Sequence, residues 1–184
     1  TRLEDMAKVD FVIEAASEMA GLKLDIFRRL DVICRKDIIL ATNTSSIPIT
    51  RIASATKRED RFIGMHFMNP APVMKLVEII RGTNTSDETF AAVKGLTEKI
   101  GKIPVESKDR PGFIVNRILM PMINEAVFTF MDGAASAEDI DKAMTLGANQ
   151  PIGPLALADL IGLDTVFSIM ESIYSETKDP KHRP

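Results

Sequence analysis

The sequence is short of the residues that build disulfides and metal clusters. Its 184 residues include one cysteine, two histidines and no tryptophan. A single cysteine excludes an intramolecular disulfide and a thiolate metal cluster. Cys34 lies in a segment with helical apolar spacing, where a small buried thiol is expected rather than a nucleophile. Such cysteine usage fits a reducing compartment, so we expect a cytoplasmic protein.

Long apolar runs and strong charge are also missing. No apolar run approaches the roughly 18 to 20 residues of a membrane span, and we expect neither a membrane segment nor a signal peptide. The net charge of −3 is small and the basic residues are scattered, which argues against a nucleic-acid-binding surface. With 45% hydrophobic and 27% charged residues, the composition is that of a globular chain of one domain or two small ones.

Short apolar runs alternate with segments of helical periodicity as far as residue 108. The runs predict strands at 10–16, 37–43, 61–67, 75–82 and 102–108, and the periodic segments predict helices at 17–36, 46–56 and 85–101. Thr85 and Glu88 have the spacing of a capping box at the start of the last of these helices. Because crossover helices join parallel strands, the alternation predicts a mostly parallel sheet that is covered on both faces.

The strand pattern ends at the Pro-Gly break in DRPGF, residues 109–113. Beyond it the pattern is helical over 113–131, 136–144 and 154–176, and Ser136 and Asp139 have capping spacing. We therefore predict two domains, an α/β domain over residues 1–109 and a helical domain over 110–184.

Polar side chains cluster at the carboxyl ends of the first three predicted strands, the edge at which open parallel sheets bind ligands. They are Glu14, Glu18, Asn43, Thr44, Ser45, Ser46, His66 and Asn69. Simpler explanations exist for each. The serines of TNTSS suit a helix N-cap, the glutamates suit a helix N-terminus, and a lone histidine is more often structural than catalytic.

A purely structural role explains Glu78 less easily, because this residue interrupts the apolar run KLVEII, residues 75–80. A carboxylate within an apolar strand must be paired or hydrogen-bonded. His66 is the nearest titratable candidate, and an imidazole held by a buried carboxylate is an oriented general base. The only other histidine, His182, lies in the polar segment KDPKHRP and is interpreted as a solvated surface residue.

Five blocks of the sequence point to a known family: VIEAASE, ATNTSSIPITRIA, GMHFMNPAPVMKLVEIIRG, DRPGFIVNRILMPMINEA and QPIGPLALADLIGLD. In this order and spacing they resemble the signature blocks of the 3-hydroxyacyl-CoA dehydrogenase family, and most of all its compact bacterial members that act on 3-hydroxybutyryl-CoA. The resemblance runs from about residue 10 to the end. It implies a Rossmann-type NAD-binding domain followed by a helical domain that mediates homodimerisation.

The resemblance also implies an activity. It is NAD(P)-dependent oxidation of (S)-3-hydroxyacyl-CoA to 3-oxoacyl-CoA, such as 3-hydroxybutyryl-CoA to acetoacetyl-CoA, in fatty acid β-oxidation or butanoate metabolism. By this resemblance His66 is the catalytic base, Glu78 orients it, and Ser45 and Asn116 contact the reacting oxygen. The positions near the cofactor's ribose and nicotinamide are Glu18, Lys23, Asn43 and Asn69. No metal is expected, because proton and hydride transfer require none.

One element of the family pattern is missing. The ten glycines stand at 21, 64, 82, 95, 101, 112, 133, 147, 153 and 162, so the sequence holds no G-x-G-x-x-G. We therefore expect a portion of a dinucleotide fold that lacks roughly its first βαβαβ half, that is also incomplete at its end, and that is inactive alone.

Two other interpretations stay open. A related dehydrogenase of a small hydroxy acid or sugar acid would keep the His–Glu pair without binding coenzyme A. A non-catalytic nucleotide-binding homologue would keep the fold alone, but the intact set of His66, Glu78, Ser45 and Asn116 argues against it.

Overall fold

The computed structural model describes residues 2–184 and divides the chain between Phe113 and Ile114 into two compact units. The first unit is an α/β sheet structure and the second is all helical, which confirms the predicted fold class. No helix within residues 2–184 is both long enough and apolar enough to span a membrane.

The first unit is built on a five-stranded sheet in the order β1-β2-β3-β4-β5. Its elements are β1 (Phe11–Glu14), α1 (Ala20–Ile33), β2 (Ile39–Thr42), α2 (Ile49–Ala53), β3 (Phe62–Phe67), β4 (Leu76–Arg81), α3 (Asp87–Lys99) and β5 (Ile103–Lys108), with short 3-10 helices at Leu3–Lys8 and Glu59–Arg61. The sheet is mostly parallel, as predicted. The exception is the pair β3 and β4, which is antiparallel because the loop of residues 68–75 reverses the chain between them.

Helices cover both faces of this sheet. Phe27 of α1 packs with Leu40 and Phe62 on one face, and Val93 of α3 packs with Met65 on the other. All five side chains are fully buried. Burial on both faces explains why the central strands read as continuous apolar runs rather than as an alternating pattern.

A buried ion pair closes the carboxyl end of α1. Arg58 Nε lies 2.7 Å from Asp31 Oδ1, and the guanidinium also donates to the backbone carbonyls of Asp31 (2.8 Å) and Cys34 (3.3 Å). These donors satisfy carbonyls that have no partner within the helix. Cys34 is buried here, as predicted, and burial raises the pKa of its thiol.

The capping box predicted for α3 is wrong. Ser86, not Thr85, is the N-cap, and its hydroxyl accepts the N–H of Thr89 at 3.1 Å. Thr85 instead donates its hydroxyl to the carbonyl of Phe62 at 2.7 Å. Glu88 is therefore one residue early for the capping-box position. The carbonyl that accepts from Thr85 belongs to Phe62 on β3, far away in the sequence, so the local spacing could not predict this bond.

The second unit contains four helices, α4 (Val115–Met131), α5 (Ala137–Gly147), α6 (Pro154–Ile161) and α7 (Leu163–Thr177), followed by a 3-10 helix at Pro180–His182. Its core consists of Met120, Ile123, Ala158, Val166, Met170 and Ile173. The predicted cap of α5 is confirmed, since the Ser136 hydroxyl accepts the N–H of Asp139 at 3.1 Å.

His182 is buried, so its interpretation as a solvated surface residue is wrong. It has 0% exposure, and the 3-10 helix that carries it packs against α4 and α7. Burial lowers the pKa of His182, and the nearby cations Lys181 and Arg117 lower it further, against an opposing effect of Asp179. The polar neighbours in the sequence concealed a ring that packs inward.

We expect the helical unit to lose stability in mild acid because of His182. The unfolded chain takes up a proton near the ordinary histidine pKa of about 6.5, whereas the buried ring resists it. The stabilisation is therefore complete above about pH 6.5 and declines as the pH falls toward the lower pKa of the folded state. Urea unfolding at about pH 8 and about pH 5.5 should show this loss, and His182→Gln should reduce it. An identical pH dependence in the variant would contradict the assignment.

Candidate active site

The centre of the site is a cross-strand pair on β3 and β4. The antiparallel register places His66 directly opposite Glu78, so the two side chains project from the same face of the sheet. His66 Nδ1 lies 2.8 Å from Glu78 Oε2, and the two residues are 5% and 0% exposed. The carboxylate that interrupts an apolar strand is thus paired with the ring twelve residues earlier.

Ser45 fixes the other side of the imidazole. His66 Nε2 lies 3.1 Å from Ser45 Oγ. Because a carboxylate only accepts hydrogen bonds, we assign the ring hydrogen to Nδ1, which donates to Glu78, and the Ser45 hydroxyl then donates to Nε2. The ring of Phe113 packs edge-on against His66, with the centroids 5.6 Å apart. The imidazole is therefore oriented with a proton-accepting nitrogen toward Ser45.

Glu18 organises the turn that carries Ser45. Its Oε1 accepts from the Thr44 hydroxyl (2.5 Å), from the N–H groups of Ser45 (2.8 Å) and Ser46 (2.9 Å), and from the Ser46 hydroxyl (3.1 Å). Burial raises the pKa of Glu18, but these hydrogen bonds and the charge of Lys23 outweigh burial and hold the pKa below its usual value. Glu18 is therefore a carboxylate at neutral pH.

The turn does not cap the following helix through its serines. The N-cap of α2 is Pro48, and the N–H groups of Ile49 and Thr50 donate to the carboxylate of Asp109 at 2.9 and 2.8 Å. The structural alternative of an N-cap at Ser45 or Ser46 is thus wrong. The backbone N–H groups of Ser45 and Ser46 donate to Glu18 instead.

A buried lysine connects Glu18 to the end of β1. Lys23 is 0% exposed, and its Nζ lies 2.8 Å from Glu14 Oε1, 3.0 Å from the Ala16 carbonyl and 3.7 Å from Glu18 Oε2. Helix α1 begins at Ala20 and has no acidic residue in its first turn. The simpler explanation, that Glu14 and Glu18 are acidic residues of a helix N-terminus, is therefore wrong.

The three asparagines named from the sequence occupy different places. Asn43 lies just after β2, and its Oδ1 accepts the N–H of Phe67 at 2.8 Å, which ties the ends of β2 and β3 together. Asn69 is exposed and precedes a cis peptide bond to Pro70. Asn116 belongs to the second unit, where it is a buried residue of α4.

Family models match both units of this chain. Residues 1–110 match the 3-hydroxyacyl-CoA dehydrogenase NAD binding domain, and residues 112–184 match the 3-hydroxyacyl-CoA dehydrogenase C-terminal domain. The chain belongs to the 3-hydroxyacyl-CoA dehydrogenase family. The resemblance drawn from the five sequence blocks is thereby confirmed.

Three bacterial relatives are similar to this chain over nearly its whole length. The chain is 57% identical over 182 residues to a 3-hydroxybutyryl-CoA dehydrogenase of Clostridioides difficile, covering 99% of this chain and 65% of that protein. It is equally identical to a probable 3-hydroxybutyryl-CoA dehydrogenase of Bacillus subtilis, covering 63% of it. The crystal structure of (S)-3-hydroxybutyryl-CoA dehydrogenase from Ralstonia eutropha superposes with a TM-score of 0.97 at 56% identity, covering all of this chain and 65% of that one. The chain thus spans about two thirds of the length of these relatives.

Glu14 lies beside the residues of this site at the end of β1, and the sequence predicted its place at the sheet edge but no role for it. It ends β1, is 6% exposed and contacts both Lys23 and Thr42. The signal was available, because Glu14 interrupts the apolar run DFVIEAA in the way that Glu78 interrupts KLVEII. Within residues 2–184, no three histidine, cysteine or acidic side chains are grouped as metal ligands.

Proposed function

We propose that this protein oxidises (S)-3-hydroxyacyl-CoA to 3-oxoacyl-CoA with NAD, with 3-hydroxybutyryl-CoA and acetoacetyl-CoA as the substrate pair. The observation that carries the proposal is the series of hydrogen bonds from the partly buried Ser45 through the buried His66 to the buried Glu78. The substrate class is supported by the names of the relatives from Clostridioides difficile and Ralstonia eutropha.

His66 is proposed as the general base. In the oxidative direction its Nε2 accepts the proton of the substrate hydroxyl while the carbon–oxygen bond becomes a carbonyl. The ring then carries hydrogens on both nitrogens and a positive charge, which the adjacent carboxylate of Glu78 stabilises. In the reductive direction the same ring returns the proton to the carbonyl oxygen.

Ser45 and Asn116 are proposed to hydrogen-bond the reacting oxygen. The Ser45 hydroxyl lies beside His66 Nε2, where the substrate oxygen must approach to exchange its proton. On substrate binding the Ser45 hydroxyl would turn its hydrogen from Nε2 to the substrate oxygen, which leaves Nε2 free to accept the proton and stabilises charge that develops on that oxygen. For Asn116 the support is its place in the GFIVNR block and its burial in α4.

The donors and acceptors at the strand ends fit the nicotinamide half of NAD. Glu18 offers a carboxylate that stays charged and is 38% exposed, which suits ribose hydroxyls. Asn43 and Asn69 offer amides that suit the carboxamide, and Lys23 supports Glu18 from behind. NAD supplies the hydride acceptor when bound. The protein's own part is to bind and orient the reactants and to move the proton.

We propose the domain division and assembly that follow from the family. Residues 1–109 form part of the NAD-binding domain, and residues 110–184 form part of a domain for substrate binding and dimerisation. The apolar side chains of Ile118, Met131 and Phe167 are 67%, 70% and 53% exposed, which supports a second copy as their partner. The single cysteine is buried and fits a cytoplasmic enzyme.

We expect the full-length protein to be a dimer in light scattering at micromolar concentration. Ile118→Glu should shift the mass toward the monomer, because it places a charge within the proposed apolar interface. The interface that we propose lies within residues 118–131 and 154–173. Leu146→Glu is the matched control, since Leu146 is 77% exposed but lies outside both segments. A monomeric wild type, or equal effects of the two variants, would overturn the interface.

The activity is tested by following NADH consumption with acetoacetyl-CoA or free acetoacetate, and NADH formation from NAD with free hydroxy or sugar acids. Turnover with acetoacetyl-CoA but not with free acetoacetate supports a CoA substrate. Turnover only with free hydroxy or sugar acids would favour the related small-acid dehydrogenase. NADH binding without turnover on any of these substrates would favour a non-catalytic homologue.

A further inference from the structure

Glu14 is a buried carboxylate to which the proton-transfer mechanism assigns no role. Its Oε1 accepts from the N–H of Ala16 (2.6 Å) and from Lys23 (2.8 Å), and its Oε2 accepts from the Thr42 hydroxyl (2.7 Å) and from Lys23 (3.1 Å). Thr42 is its register partner on β2. A carboxylate with this many donors has one fixed position.

Lys23 depends on Glu14 for its own position. An ammonium with no exposure to water is costly unless it is paired and hydrogen-bonded. An ammonium has three donors, and Lys23 Nζ faces three acceptors: Glu14, the Ala16 carbonyl and Glu18 Oε2. The contact with Glu14 at 2.8 Å is the shorter of its two ion pairs, and Glu18 is farther away at 3.7 Å.

Glu18 divides its two oxygens between Lys23 and the catalytic turn. Oε2 faces Lys23, while Oε1 accepts four hydrogen bonds from Thr44, Ser45 and Ser46. Ser45 in turn contacts His66 Nε2 at 3.1 Å. An uninterrupted series of polar contacts therefore leads from Glu14 to the base.

We propose that Glu14 is a positioning residue of the active site. It holds Lys23, Lys23 holds Glu18, and Glu18 fixes the Thr44–Ser46 turn so that the Ser45 hydroxyl meets His66. The inference rests on the proposed function for its kinetic consequence, while the geometric consequence can be observed without turnover. A merely structural Glu14 would affect stability but not the place of Ser45.

The test is Glu14→Gln in the full-length protein. Glutamine keeps the size and one acceptor but removes the charge that faces Lys23. We expect kcat for acetoacetyl-CoA reduction to fall about tenfold, the effect of disturbing one coupled network. The histidine NMR signal of His66 in the cofactor-free protein, assigned with His66→Ala, should shift as well.

A double-mutant cycle tests whether Glu14 acts through Glu18. If it does, Glu14→Gln/Glu18→Gln should lose little more activity than Glu18→Gln alone, because both substitutions disturb the same contact. Two effects that simply multiply would overturn the proposed route. If Glu14→Gln does not fold, Glu14→Gln/Lys23→Met removes both charges together, and the same loss of kcat and NMR shift are expected.

Asp31→Asn is the matched control. Asp31 is also a buried carboxylate paired with a cation, Arg58 at 2.7 Å, but it lies near the opposite end of α1 from Lys23. It should lower stability without changing kcat or the His66 signal.

Wild-type kcat and an unshifted signal in Glu14→Gln would overturn the inference. A wild-type protein inactive on acetoacetyl-CoA would instead overturn the proposed function, and the NMR shift would still decide the role of Glu14.

Discussion

Replacing His66 by alanine is expected to lower kcat for acetoacetyl-CoA reduction by roughly 10² to 10⁴, the usual contribution of a general acid–base group. The variant loses the ring nitrogen that contacts Ser45, which is the group proposed to exchange the proton. The affinity for NADH, measured by calorimetry, should change little. The loss should therefore appear in kcat rather than in cofactor binding.

His182→Gln is the control for this experiment. It removes the other histidine of the chain, which is buried in the helical unit and has no part in the proposed chemistry. Its kcat at neutral pH should match that of the wild type. Near-normal turnover by His66→Ala would exclude His66 as the base and would leave the Ser45 and Glu78 contacts without a catalytic meaning.

The pairing of His66 with Glu78 illustrates what a sequence can predict. A carboxylate within an apolar strand requires a partner, and the two residues lie 2.8 Å apart. The sequence did not predict how they meet. The apolar pattern of a strand does not report its direction, and only the antiparallel register of β3 and β4 places the two side chains opposite each other. Their catalytic roles stay proposals.

The network of polar contacts that leads through Lys23 and Glu18 to Ser45 was predicted less well. The sequence placed Glu14, Glu18 and the TNTSS segment at one edge of the sheet, and the structure brings them together through Lys23. The sequence places Lys23 on helix α1 but does not predict its contacts with Glu14 and Glu18, because these depend on how the helix is oriented over the strand. The contacts of Glu14 were not predicted, although the rule that a carboxylate in an apolar strand needs a partner applies to Glu14 as it does to Glu78.

Local patterns failed where a distant acceptor or the packing of another element decided the outcome. Thr85 had the sequence of an N-cap but donates to Phe62 across the fold, and the neighbouring Ser86 takes its place. His182 lies among polar and charged residues, yet a short 3-10 helix turns its ring into the interior. By contrast, the uniform burial of the central strands follows from local composition and was predicted correctly.

Replacing Glu78 by glutamine is expected to lower kcat by roughly 10² to 10³, within the range for electrostatic support of a catalytic group. Glutamine has nearly the same shape, and its carbonyl can still accept from His66 Nδ1. It carries no charge, however, so the positive ring that forms when His66 takes a proton is no longer stabilised. Because Glu78 is fully buried, this charge is not replaced by water.

Glu106→Gln makes the same chemical change on the neighbouring strand. Glu106 lies on β5, pairs in register with Ile79 and is 51% exposed at its side chain, 3.7 Å from Arg81. Its removal should alter kcat and stability little, since an exposed ion pair contributes little. A correctly folded Glu78→Gln protein that turns over like Glu106→Gln would show that the carboxylate only fills the strand. A loss of kcat confined to Glu78→Gln is expected, because only Glu78 faces the ring that gains the charge.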